Sequence, residues 1–222
     1  MFETRYSKFL TVLLIVIIVA IIGLLGYLGY KTYKDHKNVS SASEFVDAFT
    51  SGNKNTTGEN TTDNNVDGNG VLGGVETTES SSGKKRKTYG GFDVSASIEI
   101  PKINLSLPIL SKETKKSLET AVAVRYPENA VLNTEGNVVI AGHNYRNGTF
   151  FSNLKKVALG DTIYITDLDG NRVAYNIYNI FEAAENDTSF YNRDTNGAKE
   201  ITLTTCTDDS TARLIVEAKA NE

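Results

Sequence analysis

The apolar positions divide the chain into stretches of different character. From Phe9 to Tyr30 the run FLTVLLIVIIVAIIGLLGYLGY carries no charged residue, and about 20 such residues are what a helix needs to cross a hydrocarbon core of ~30 Å. A secretory signal has a shorter apolar run of about 7–15 residues and a small-residue cleavage site. Here the run exits through Tyr27, Tyr30 and Lys31, so an uncleaved transmembrane anchor is expected over 9–30, with a tail over 1–8. Phe45, Val46 and Phe49 then recur at helical spacing, enough for an amphipathic turn or two. From Ser51 to Lys87 the chain turns to Gly, Asn, Thr, Ser and Asp, too poor in large apolar groups to offset the entropy of ordering. Residues 31–88 are therefore read as a membrane-proximal segment and flexible linker, and the coil from Ser51 to Lys87 would span roughly 30–35 Å.

Beyond Tyr89 the pattern becomes one of short Ile-, Val-, Tyr- and Thr-rich runs broken by turn residues. Ser97–Ile100, Asn137–Ala141, Asp161–Thr166, Arg172–Phe181, Glu200–Cys206 and Arg213–Ala218 read as strands. Asp169-Gly170 joins the third and fourth of these, and Asp-Gly readily adopts the positive φ of a tight hairpin turn. Helical pattern is confined to Thr114–Ala121 and a turn over Thr149–Lys156 that sets Phe150, Phe151 and Leu154 on one face. Residues 89–222 are thus expected to form one mainly β domain with short helices, a barrel or a sandwich.

Charge narrows the functions open to it. The formal net charge is -4, against nucleic-acid binding, which needs a basic face to neutralise phosphates. The basic run Lys84-Lys85-Arg86-Lys87 falls short of the usual interaction patch and reads as a solvated linker end. Arg5 and Lys8 before the apolar run face Lys31, Lys34 and Lys37 after it, so flanking charge leaves the membrane orientation open. One cysteine forms no internal disulfide, which suits a cytosolic protein or an exported one that dispenses with disulfides.

That cysteine ends the run Thr202-Leu203-Thr204-Thr205-Cys206, and Arg213 follows seven residues later. A lone buried cysteine is usually an inert small hydrophobe. A reactive one is a thiolate, and nearby positive charge favours that form. If the strand holding Cys206 and the next form a hairpin, Arg213 can lie across from the thiol and stabilise an oxyanion. Upstream, Val138-Val139-Ile140-Ala141-Gly142-His143-Asn144 ends another apolar run with His143, a group able to exchange protons near neutral pH. Cys206, His143 and Arg213 form the candidate catalytic set. A membrane-tethered cysteine protease and a non-catalytic binding domain with an incidental thiol remain the alternatives.

The wording TLTTC with Arg213 on the next strand resembles the signature of sortases, the membrane-anchored cysteine transpeptidases of Gram-positive bacteria. Ile98-Glu99-Ile100-Pro101-Lys102-Ile103, Gly136 to His143, and Phe151-Ser152-Asn153-Leu154 with Gly160-Asp161 resemble further family segments in matching order. The resemblance implies a closed sortase-type β-barrel of about eight strands, with Cys206 as nucleophile, His143 as general acid/base and Arg213 as oxyanion stabiliser. It implies substrate contact at Thr205 and Asn144. The substrates would be surface proteins with an LPxTG-like C-terminal sorting signal, cleaved after Thr and transferred to a cell-wall precursor amine. The catalytic domain would then be extracellular on a single-pass anchor. Residues 89–94 lack the Asp-Pro-aromatic lid of pilus-building class C members; His143–Phe151 resembles class B, yet Phe181–Lys199 is too short for that class's helical insertion, so the resemblance implies a general anchoring enzyme of class A, B or D type. No cofactor or metal is expected. Calcium at Glu182, Glu185 and Asp187, by analogy with some relatives, is the weaker reading against a solvated loop.

Overall fold

The computed structural model describes residues 3–51, 77–79 and 85–221. They divide into two compact units, Met1–Ser40 and Ser41–Glu222. In the first runs most of helix α1 (Glu3–Ser51), whose segment Phe9–Tyr30 is long and apolar enough to cross a membrane and is exposed among the described residues. Such an exposed apolar run fits a single-pass membrane anchor.

In the second unit, two short strands, β1 (Thr77–Glu79) and β2 (Lys85–Tyr89), lead into the sheet. Eight more follow: β3 (Phe92–Ile100), β4 (Leu105–Leu110), β5 (Val122–Tyr126), β6 (Gly136–Ala141), β7 (Thr162–Asp167), β8 (Arg172–Ala184), β9 (Lys199–Cys206) and β10 (Ala212–Ala220). They hydrogen-bond in the order β3-β4-β5-β6-β9-β10-β8-β7, and β7 pairs back onto β3 to close a barrel. Only β4–β5 and β6–β9 are parallel among these pairs. The barrel interior holds Ile98, Ile100, Ile109, Ile140, Ile163, Ile165, Leu203 and Val216, each fully or almost fully buried. A second, smaller cluster of Val139, Ala183, Phe190 and Ile215 lies on the other face of the sheet.

The six strands expected from the pattern all form, and so does the Asp-Gly turn, where Gly170 adopts φ 89° and Asp167 Oδ1 accepts from the backbone of Asp169 and Asn171. Helix α2 (Lys115–Thr120) starts at Thr114, whose hydroxyl and that of Ser117 cap each other's backbone N–H reciprocally. β4 and β5 were not anticipated. Pro108 interrupts LSLPIL, and proline lacks a ladder donor. It is tolerated because β5 pairs with β4 only through Ile109 and Leu110, one step beyond it.

The basic run does not behave as a solvated linker end. Arg86 donates twice to Asp93, at 2.7 and 3.0 Å, and Lys87 is buried, with Nζ 3.2 Å from the Phe49 carbonyl oxygen and over the Phe49 ring. Desolvating the ammonium is offset by that carbonyl and the π face. The end of α1 supplies the rest of this contact: Ala42, Phe45, Val46 and Phe49 are buried, and Phe45 meets Tyr89 edge-on at 5.0 Å. The short apolar motif at 45–49 is therefore part of the β domain's own packing. The linker expected over 51–87 falls mostly on 52–76 and 80–84, outside the described residues.

Candidate active site

Strand alternation decides which side chains meet. Along β9, Ile201 and Leu203 enter the barrel core, so Thr202, Thr204 and Cys206 project from the other face. Arg213 is the register partner of Cys206 on β10, and Ile215 and Glu217 continue its side of that strand. On β6, Val138 and Ile140 point inward while Val139 joins the outer cluster with Ile215, so Ala141 and His143 follow Val139 outward. Because β6 and β9 are parallel with Ala141 opposite Thr204, Cys206 closes β9 while His143 lies just past the end of β6, at the same end of the sheet. Register pairs Cys206 with Arg213, and the Arg213 charge acts on the His143 imidazole.

Within this group the Arg213 Nη1 donates to the Cys206 sulfur in a short contact, and Nη2 donates to Glu185 Oε1 at 2.7 Å. The guanidinium is mostly buried, and its Nε is sealed from solvent without a hydrogen-bond partner. Burial pushes the His143 imidazole below its ordinary pKa of 6.5; Glu119 and Glu113 pull upward and Arg213 adds to the depression. The imidazole is thus biased toward its neutral form. Its ring stacks obliquely on Tyr145 at 4.9 Å, and Tyr145 in turn meets Phe150.

Gly142 explains how His143 reaches its position. A Cβ there would lie 2.6 Å from a Phe151 ring carbon and 2.8 Å from Val122, so only glycine lets β6 run close enough over the core for its N–H to bond the Thr204 carbonyl. Asn144 borders a cavity beside Cys206 and also braces the backbone. Its Nδ2 donates to the Cys206 carbonyl at 3.0 Å and to Asp208 Oδ1 at 2.9 Å, and Asp208 also receives Lys155. This ties the loop after β6 to the turn after β9 and fixes the backbone of the thiol residue.

Thr205 lies one residue from Cys206, and its register partner Leu214 packs toward the barrel core. Both line this cavity of about 330 Å³ at the barrel mouth, which Cys206 and Asn144 also border, with Phe151, Ser152, Lys155 and Glu182. The Thr205 hydroxyl is buried there without a hydrogen-bond partner among the described residues.

The acidic residues considered for calcium are separately engaged. Glu185 pairs with Arg213, Asp187 Oδ1 accepts from the Ser189 backbone, and Glu182 borders the barrel-mouth cavity. Among the described residues no group of three or more His, Cys, Asp or Glu is placed to hold a metal ion. Two roles absent from the sequence reading emerge instead. Glu185, read there only as a calcium candidate, partners Arg213, and Arg193 knits Tyr178, Glu200, Asn137 and Thr202 together beneath the β8–β9 segment. Neither role carried a local signal, because the first joins β10 to the end of β8 and the second draws its partners from β6, β8 and β9.

A closed barrel that sets thiol, guanidinium and imidazole on one face at adjacent strand ends defines a cysteine-nucleophile site of the β-barrel type. The family model of the sortase domain matches residues 98–221, more than half of the chain, and the chain belongs to the sortase family. Sortase A of Bacillus anthracis is 34% identical over 122 residues, 54% of this chain and 56% of that protein, so the chain spans about half the length of this curated relative. Among solved structures, a lid mutant of sortase A from Corynebacterium diphtheriae superposes with a TM-score of 0.53 at 34% identity, covering 58% of this chain and 70% of that one. A sortase D5 transpeptidase from Clostridium perfringens gives 0.56 at 27% identity, covering 84% and 99%.

Proposed function

We propose that the protein is a membrane-anchored cysteine transpeptidase that cleaves an LPxTG-like sorting signal after Thr and transfers the protein to a cell-wall amine. The reading rests above all on the Cys206–Arg213 register pair, with Nη1 on the sulfur and His143 on the same face. His143 takes the Cys206 thiol proton as Sγ attacks the Thr carbonyl carbon, and Arg213 stabilises the oxyanion through its N–H donors. The C–N bond then breaks as His143 gives a proton to the departing amine, leaving a thioester. An acceptor amine attacks that thioester, its proton passes to His143, and the Cys206 thiolate leaves. Asn144 holds the Cys206 carbonyl, and so the position of the nucleophile, through both steps. The substrate and the wall precursor place the β domain outside the cell, with the segment before Phe9 inside.

The test incubates the full chain in detergent micelles with fluorescent sorting-signal peptides and triglycine. Cleavage after Thr, a Cys206-linked acyl intermediate by mass spectrometry and a triglycine adduct are expected. Undiminished turnover in Cys206→Ala or His143→Ala defeats the mechanism. Cleavage without an adduct for any amine would favour the hydrolytic reading.

A further inference from the structure

Arg213 is held at both ends of its guanidinium, and only one end belongs to the thiol. Its Nη2 donates at 2.7 Å to Glu185 Oε1, while Nη1 donates to Cys206. Glu185 is the first residue beyond the ladder that joins β8 to β10: Ala184 pairs with Ala212 and Ala183 with Arg213. Its backbone is therefore fixed beside the arginine, although its side chain is 73% exposed. A pair whose carboxylate is that exposed adds little to stability, so it does not exist to hold the fold. Its geometric effect is larger, because the Arg213 Nε has no hydrogen-bond partner among the described residues. Among those residues, the bonds to the thiol and to Glu185 are what set the plane of the guanidinium.

We infer that Glu185 is a positioning residue for acyl transfer: it takes the Nη2 edge of Arg213, directs the Nη1 edge at the reacting sulfur and carbonyl oxygen, and offsets part of the arginine's charge. This rests on the transpeptidase reading for its consequence in turnover. When the Thr carbonyl becomes an oxyanion, the donor must already point at it, since a planar group free to rotate pays its reorientation during the reaction. Partial neutralisation matters as well. A thiolate locked against an uncompensated guanidinium is stabilised before it attacks, which favours the resting enzyme over the transition state. Other charged groups near the thiol are Lys155, Glu182, Asp208 and Asp209, which border the same cavity as Cys206, and His143, on which Glu113 and Glu119 act; among the described residues Arg213 bonds Glu185 and not these.

The test compares Glu185→Ala, Glu185→Gln and Glu185→Asp in the full chain, with and without Arg213→Ala. Peptide turnover should fall about 10-fold in Glu185→Ala, roughly the worth of one oriented charge-assisted donor, with the loss in kcat and KM nearly unchanged. Glu185→Asp should recover part of it, and the melting temperature should stay put. Iodoacetamide alkylation of Cys206 at pH 7 should speed up about 2–5-fold in Glu185→Gln, which keeps the acceptor but removes the charge. In the Arg213→Ala background the same change should have no effect. Unaltered turnover in Glu185→Ala, or an alkylation effect that persists without Arg213, overturns the inference. Alkylation needs no peptide substrate. If no sorting signal is cleaved by the parent enzyme, the transpeptidase reading fails alone, and an unchanged alkylation rate in Glu185→Gln would still refute the role of Glu185.

Discussion

Replacing Arg193 by methionine should be among the most damaging single changes away from the thiol. Glu200 and Glu217 are buried, with side chains 8% and 6% exposed, and both face this arginine: Nη1 donates to Glu200 at 2.6 Å and Nε lies 3.0 Å from Glu217 Oε1. Tyr178 completes the arrangement by donating to Glu200 and accepting from Arg193. Burial, followed by the carboxylates around it, drives the Tyr178 phenol well above its ordinary pKa. Arg193→Met leaves two carboxylates in a desolvated pocket with no cation, and breaking a buried pair in this way costs about 3–5 kcal/mol. Arg193 itself retains 21% exposure, so water can reach the site and the lower end, about 3 kcal/mol, applies. For a domain of this size each kcal/mol lowers the melting temperature by about 2–4 °C, giving a fall of roughly 6–12 °C in circular-dichroism melts. The triple variant Arg193→Met, Glu200→Gln, Glu217→Gln removes the stranded charges and should regain most of the loss. A single variant melting within about 2 °C of the parent, or a triple variant no better than the single, would refute the reasoning.

Three other outcomes follow from the same geometry. The His143 imidazole should titrate below 6.5 by NMR, and Arg213→Ala should raise that midpoint by removing a repelling charge. Because the folded pKa is depressed, His143 contributes stability that is present above its unfolded value near 6.5 and lost as pH falls through the folded midpoint, which denaturant midpoints at neutral and mildly acidic pH would register. Phe49→Ala should cost about 3–5 kcal/mol in urea unfolding, since Phe49 is fully buried against Lys87; a loss under about 1 kcal/mol would mean that the end of α1 does not contribute to the domain core. Gly142→Ala should destabilise by about 1–3 kcal/mol through overpacking and lower turnover more than stability alone accounts for, because the added Cβ meets the Phe151 ring at 2.6 Å and shifts His143.

Legibility in the sequence tracked how local each cause was. Period-two runs and the Asp-Gly turn revealed six barrel strands, because alternation and turn chemistry are written in neighbouring residues. β4 stayed hidden, since tolerance of Pro108 depends on where β5 stops pairing, a fact held in another part of the chain. The contact of Phe45 and Phe49 with Tyr89 and Lys87 was invisible for the same reason. The spacing of Phe45, Val46 and Phe49 could be seen, but the surface that covers them lies some forty residues onward.

The candidate site divides along the same line, with one exception. The Cys206–Arg213 pair was readable because a tight turn between two strands makes seven residues a cross-strand register, and His143 was readable as the end of its own apolar run. Glu185 and Arg193 were not, because each acts on residues delivered by β9 or β10. Thr205 is the exception, as its direction was already implied by the sequence. A residue adjacent to Cys206 in a strand starts from the opposite face, yet at the end of β9 both residues border one barrel-mouth cavity, with Ser152 and Leu214. On the thiol face, the described donors aimed at the sulfur come from Arg213. In the proposed mechanism, oxyanion stabilisation then depends on how rigidly that one guanidinium is held, and through it on the carboxylate at its far edge.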